Sequence, residues 1–109
     1  MKAKYLRGPI WQLIGVKRIP KTQWLNPWRT PKVGEPIEQI WQVQFRAVAG
    51  RGELTVLMHD DGGVRLYRLG QQMGMKKHQR HQVSRAAHQA VAFYELTESI
   101  EGFAPVSLL

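Results

Sequence analysis

The sequence predicts an α+β fold, with a bent antiparallel sheet of four to five strands and one C-terminal helix packed on it. Two observations carry this prediction. Residues 38–69 alternate apolar and polar side chains between turn residues, which is typical of antiparallel strands. From residue 76 to residue 98 the apolar period becomes that of a helix. The sheet is expected to be either open or curled into a small, partly open barrel.

Length and composition predict a single domain over residues 1–109. The chain has no cysteine, which excludes disulfides and thiolate metal sites. No run of about 18 apolar residues occurs, and the apolar stretch that follows the basic N-terminus is too short for a signal peptide. We therefore expect a cytoplasmic protein that does not contact a membrane.

The first predicted strand covers residues 10–16. Trp11 and Leu13 lie on one face and Gln12 on the other, and both faces carry apolar residues, so we expect the strand to be largely covered. Residues 17–36 follow as a long basic arm that also contains tryptophan. Four prolines interrupt this arm and prevent a long helix: Pro20, Pro27, Pro31 and Pro36. Connections of this length are generally functional or disordered.

A three-stranded meander is predicted over residues 38–69. Its strands are residues 38–49, 53–59 and 64–69, and a Gly-Arg-Gly turn joins the first two. Asp60-Asp61-Gly62-Gly63 joins the last two, because such residues accept the positive φ angles of tight hairpins.

One face of this meander carries polar residues that could meet water or a ligand. Gln42, Gln44 and Arg46 alternate with apolar residues, and Arg65 and Tyr67 lie on a neighbouring strand. If Tyr67 is exposed, the face resembles the flat surfaces that stack unpaired bases. If Tyr67 is buried, it belongs to the core. The sequence leaves both alternatives open.

The predicted helix over residues 76–98 has an apolar and a basic face. The apolar stripe consists of Val83, Ala86, Ala87, Ala90, Tyr94 and Thr97, with Val91 and Phe93 at its edges. The opposite face carries Lys77, His78, His81, Arg85 and His88, and Lys76 and Arg80 extend it. Three acids lie at the far end: Glu95, Glu98 and Glu101. The apolar tail, residues 103–109, is expected to form a short edge strand or to pack over the core.

Net charge is distributed very unevenly along the chain. Residues 1–34 hold eight Lys or Arg and no acid, whereas residues 35–109 hold eight of each, so the first third carries the whole formal charge of +8. That third also contains three of the four tryptophans, Trp11, Trp24 and Trp28. A basic, aromatic arm on a neutral domain favours a polyanionic partner.

These features predict a small, non-catalytic protein that binds RNA or single-stranded DNA mainly through the backbone. Lysine and arginine would contact phosphates, and Trp24 and Trp28 would stack on bases. The predicted site residues are Lys17, Arg18, Lys21, Trp24, Trp28, Arg29 and Lys32, with Arg80 and Arg85 extending the track.

Three other interpretations remain open. The arm could dock onto an acidic protein surface, with its tryptophans as anchors, as in an adaptor or inhibitor. The same tryptophans could pack against the core while the charges stay in water. A small ribonuclease using His59 and His81 is the third. The four histidines lack the spacing of a metal site, so we predict no metal, no cofactor and no catalytic residue.

Overall fold

The computed structural model describes residues 10–21, 33–34, 38–49, 51–59 and 62–108. These residues form a curled antiparallel sheet of six strands, a half-barrel, with a C-terminal helix packed on it, which confirms the predicted α+β fold. The elements in chain order are β1 (Ile10–Pro20), β2 (Gln39–Ala47), β3 (Glu53–Met58), β4 (Val64–Arg68), β5 (Gln71–Met73), α1 (Lys77–Thr97) and β6 (Val106–Ser107).

The strands lie in the spatial order β5-β4-β3-β2-β1-β6, and every neighbouring pair is antiparallel. The β2–β3–β4 meander is the one that the alternating pattern predicts. β5 was not predicted, because its three residues carry no apolar alternation. A two-residue turn at Leu69 and Gly70 joins it to β4, and both residues have positive φ angles of 53° and 79°. The predicted edge strand of the tail is present as β6, beside β1.

Strand β1 continues four residues beyond the predicted end at Val16. A register shift between Leu13 and Gly15 interrupts the pairing with β2, after which pairing resumes as far as Pro20. This bulge lets Leu13 and Val16 point to the same face although they are three residues apart. Gly15 suits the bulge, because a Cβ atom there would lie 3.1 Å from the Gln44 Oε1 atom. Simple alternation could not predict a strand that changes phase in the middle.

The main core lies between α1 and one face of the sheet. Sheet residues such as Phe45, Leu54 and Leu66 are fully buried there. The helix contributes Val83, Ala86, Ala87, Ala90 and Val91. The small alanines allow the helix to lie close to the sheet. Tyr94, a predicted stripe residue, is partly buried, and Leu108 of the tail is fully buried.

The helix ends at Thr97, one residue before the predicted end at residue 98. Thr97 is exposed rather than buried, and its hydroxyl donates to the Phe93 carbonyl oxygen at 2.9 Å. Glu98 then adopts a left-handed conformation with φ 56°. No helix among the described residues is long and apolar enough to cross a membrane.

The opposite face of the sheet holds a second buried cluster: Ile19, Ile40, Leu57 and Tyr67. Tyr67 is only 7% exposed, which resolves the open question about this residue in favour of a core position. Gln42 is also buried, and Arg46 pairs with Glu53 at 3.1 Å. The row of polar residues on the meander is therefore not an open platform on which bases could stack.

Candidate functional site

The predicted site residues of β1 do not form one surface. Lys17 follows the alternation of Ile19 and lies on the sheet face away from α1. Arg18 lies on the helix side, with its guanidinium carbon 5.0 Å from the centroid of the Trp41 ring. Lys21 pairs with Glu38 through an Nζ–Oε2 contact of 3.3 Å. Four further predicted residues, Trp24, Trp28, Arg29 and Lys32, lie outside the described residues.

A groove of about 710 Å³ lies between the turn that precedes β4 and the N-terminal half of α1. Its lining among the described residues consists of Gly62, Gly63, Val64, Lys77, His78, Arg80, His81 and Ser84. None of these described lining residues is acidic, and the lysine and the arginine among them are exposed. The groove therefore combines two permanent cations, two imidazoles and a hydroxyl within one concave surface.

The start of α1 adds to the positive potential of the groove. Its capping position is occupied by Lys76, whose ammonium group can only donate hydrogen bonds, so no side chain caps the first-turn amides. The Lys76 amide itself donates to the Gln79 Oε1 atom at 3.0 Å. The first helical backbone bond runs from the Arg80 amide to the Lys76 carbonyl at 2.8 Å. The preceding amides present the positive end of the helix dipole.

The charges along α1 oppose the preference of the helix dipole. The first turn contains no acid and the last turn no base. Lys76, Lys77 and Arg80 lie at the positive end of the dipole, and Glu95 lies near the negative end. Such an arrangement costs about 0.3–1 kcal/mol per charge at low ionic strength. The charges at the two ends of α1 therefore do not stabilise the helix through its dipole.

Hydrogen bonds along the helix surface fix the orientation of three polar side chains. The Arg85 Nη2 atom lies 3.2 Å from the Nε2 atom of His81, so the guanidinium donates to the imidazole. The Nδ1 atom of His88 lies 2.7 Å from the Ser84 carbonyl oxygen. Arg80 thus lines the groove, whereas Arg85 contacts a residue that lines it. Of the predicted site residues that the structure describes, these two are the ones at or beside the groove.

The predicted arm is attached at the same end of the sheet as the groove. The chain leaves the sheet at Lys21 and returns at Glu38, where the Lys21 amide donates to the Glu38 carbonyl at 2.8 Å. At that same end, the His59 amide donates to the Gly63 carbonyl at 2.9 Å. From β1 to β4 there are three inter-strand spacings of about 4.8 Å, or roughly 14 Å.

The groove itself was not predicted, because the sequence does not reveal that Gly62 and Gly63 lie beside the helix. One signal was nevertheless available. Residues 62–94 contain six lysines and arginines and no acid: Arg65, Arg68, Lys76, Lys77, Arg80 and Arg85. The sum over residues 35–109 is zero only because acids before and after this stretch compensate for it. Charge is therefore segregated within the second part of the chain too.

Within the described residues, no group of three His, Cys, Asp or Glu side chains could hold a metal ion. His59, one of the two histidines of the ribonuclease alternative, is not part of the groove lining, whereas His81 is. The Nε2 atom of His59 is buried and has no hydrogen-bond partner among the described residues. The groove thus does not unite the two histidines of that alternative.

No protein-family model matches this chain, and neither a curated protein nor a solved structure is significantly similar to it. Function must therefore be inferred from the geometry and the charge of the groove.

Proposed function

We propose that this protein binds nucleic acid without catalysis, mainly through the phosphate backbone, at the end of the sheet that carries the groove. The observation that carries this proposal is the groove itself, whose described lining residues include Lys77, Arg80, Gly62 and Gly63 and no acid. Lysine and arginine neutralise phosphates and release counterions, and this release supplies most of non-specific affinity.

The helix supplies a short track of positive charge for this purpose. Lys76, Lys77, Arg80 and Arg85 lie within its N-terminal half. If each of the four neutralises one phosphate, the logarithm of the affinity should fall with the logarithm of salt concentration with a slope of about −3 for a single strand. A slope of this size distinguishes a polyanion site from a surface whose cations are merely solvated.

The arm is the second part of the proposal. It contains Trp24, Trp28, Arg29 and Lys32, and its attachment point at Lys21 lies roughly 14 Å from the β4 side of the groove by strand spacing. A single strand advances about 3.4 Å per nucleotide in duplex geometry, so four or five nucleotides would connect the two regions. We therefore assign the arm and the groove to one extended ligand.

Fluorescence anisotropy with a labelled 20-nucleotide single strand at 50 and 200 mM salt tests this function. The double variant Lys77→Gln/Arg80→Gln should lower affinity about tenfold and reduce the salt slope by about 1.4, because two phosphate contacts are lost. The matched control is Arg51→Gln/Arg68→Gln, which removes the same charge at the opposite end of the sheet, where Arg68 approaches Gly52. This control should change affinity less than about threefold, since only net charge changes.

Two results would overturn the proposal. Equal losses in the two double variants would mean that only net charge matters and that the groove is not the site. A wild-type protein that fails to bind the oligonucleotide at 50 mM salt would exclude nucleic acid and favour an acidic protein surface as the partner.

A further inference from the structure

We propose that the groove seats one unpaired nucleotide, with the imidazoles of His78 and His81 against the base and Lys77 and Arg80 at its phosphates. This inference rests on the proposed nucleic-acid binding and adds its ligand class, single-stranded rather than duplex. It also assigns a base-contacting role to two residues that the predicted phosphate track did not include.

The two walls of the groove differ in a way that suits a flat ring. On the turn side, the described lining residues include Gly62 and Gly63, and a Cβ atom at Gly62 would meet nothing within 4 Å. At these two positions no side chain separates a base from the backbone. The helix wall presents the imidazoles of His78 and His81, and histidine is among the side chains on which unpaired bases stack.

The dimensions of the groove favour a splayed nucleotide over a duplex. Its volume of about 710 Å³ falls in the range of pockets that enclose a small ligand. Duplex bases are read by an element that projects into a major groove about 12 Å wide. Here the basic side of α1 faces the Gly62–Gly63 turn across the groove. That side of the helix is therefore not a free, projecting element of the kind that enters a major groove.

One of the two imidazoles is held in place by a neighbour. The Arg85 guanidinium donates from Nη2 to the His81 Nε2 atom at 3.2 Å, on the helical turn that follows His81. This contact restricts rotation of the ring before a ligand arrives, which lowers the entropic cost of stacking. Arg85 therefore acts as a positioning residue for His81, and this role differs from the phosphate contact that the sequence predicted.

Three probes with equal numbers of phosphates separate the two kinds of contact: a single-stranded oligonucleotide, a duplex and an abasic sugar–phosphate strand. Wild-type protein should bind the single strand about tenfold more tightly than the abasic strand, because only the former offers bases. The variant His78→Ala/His81→Ala should lose most of this preference. The variant His78→Phe/His81→Phe should retain it, because phenyl rings stack although they cannot be charged.

Two control variants make the outcome specific. His88→Ala removes a histidine from the same helix outside the groove lining and should leave the preference unchanged. Lys77→Gln/Arg80→Gln should weaken all three probes by similar factors. Circular dichroism confirms that each variant is folded before it is titrated.

Each contrary result has a distinct meaning. Equal binding of the single and abasic strands by wild-type protein overturns the nucleotide seat but leaves backbone binding intact. A similar loss for all three probes in His78→Ala/His81→Ala, without rescue by phenylalanine, also overturns it, because the histidines would then act by charge or hydrogen bonding. Failure of all probes to bind overturns the proposed function and this inference together.

Discussion

The two ends of α1 differ in what holds them and in what they offer to a partner. At the C-terminal end, Phe93 packs edge-on against Phe103 at 5.5 Å between ring centroids, and Tyr94 packs similarly against Trp41 at 6.4 Å. At the N-terminal end, the helix borders an open groove against the turn that contains Gly62 and Gly63. One end is anchored by aromatic packing, and the other leaves cations beside accessible space.

The charges sharpen this contrast. Both ends carry charges of the sign that the helix dipole disfavours, and the basic end lies beside the groove. In the described part of the chain, Glu95, Glu98 and Glu101 form no ion pair, and Leu96 beside them is 85% exposed. The comparison separates the end of the helix that aromatic packing stabilises from the end at which we propose that a ligand binds, so stability and binding should respond separately to substitution.

Reversing the charge at the basic end should produce the largest effect. In Lys77→Glu/Arg80→Glu, oligonucleotide affinity should fall at least about 100-fold, because two attractive contacts become repulsive. The same variant should be more stable by about 1 kcal/mol, or roughly 4–5 °C in Tm, since acids favour a helix N-terminus. Anisotropy and thermal melting measure the two effects.

This test is informative because affinity and stability are expected to change in opposite directions. Arg51→Glu/Arg68→Glu changes the charge equally, far from the start of the helix, and should weaken binding much less without raising Tm. If Lys77→Glu/Arg80→Glu binds as tightly as wild type, the basic end is not the ligand site.

Removing an aromatic ring at the anchored end should lower stability and leave oligonucleotide affinity nearly unchanged. Phe93→Ala deletes a partly buried ring that contacts Phe103, and deleting a fully buried phenylalanine ring costs about 3–5 kcal/mol. We expect a loss of about 2 kcal/mol, seen as a Tm lower by roughly 8–12 °C. Oligonucleotide affinity measured well below Tm should stay within twofold of wild type. A large affinity loss in folded Phe93→Ala would contradict the division between the two ends.

The sequence predicted the fold where one local pattern dominates. The meander and the helix have strong periods of two and 3.6 residues, so their positions follow within one or two residues. The periodicity of apolar residues did not predict features that depend on contacts between distant parts of the chain or on very short elements. The bulge at Gly15 shifts the phase of β1, and β5 is too short to show any period. The second cluster contains Leu57 and Tyr67, whose burial depends on what covers the second face of the sheet.

The site was less predictable than the fold for a related reason. The net charge of a long segment does not show where its charges lie. The net charge of residues 35–109 is zero, and this value conceals the basic stretch over residues 62–94. Even with that stretch recognised, its contact with Gly62 and Gly63 depends on how α1 crosses the sheet. Lys17 and Arg18 are adjacent in sequence, but the strand sends them to opposite faces.

The smallest expected effect comes from the acidic end of the helix. Glu98 has a φ of 56°, and its amide donates to the Tyr94 carbonyl at 2.7 Å, which is the geometry that favours glycine after a helix. Glu98→Gly should therefore stabilise the protein by about 0.5–1 kcal/mol, because it relieves backbone strain and removes an unfavourable negative charge. Urea denaturation measures the change, and Glu98→Gln, which removes the charge alone, is the matched control. Affinity for the oligonucleotide should change less than twofold in both variants, because this end of the helix lies outside the groove. An affinity gain of about tenfold in either variant would show that the acidic end repels the ligand and that the two ends do not act independently.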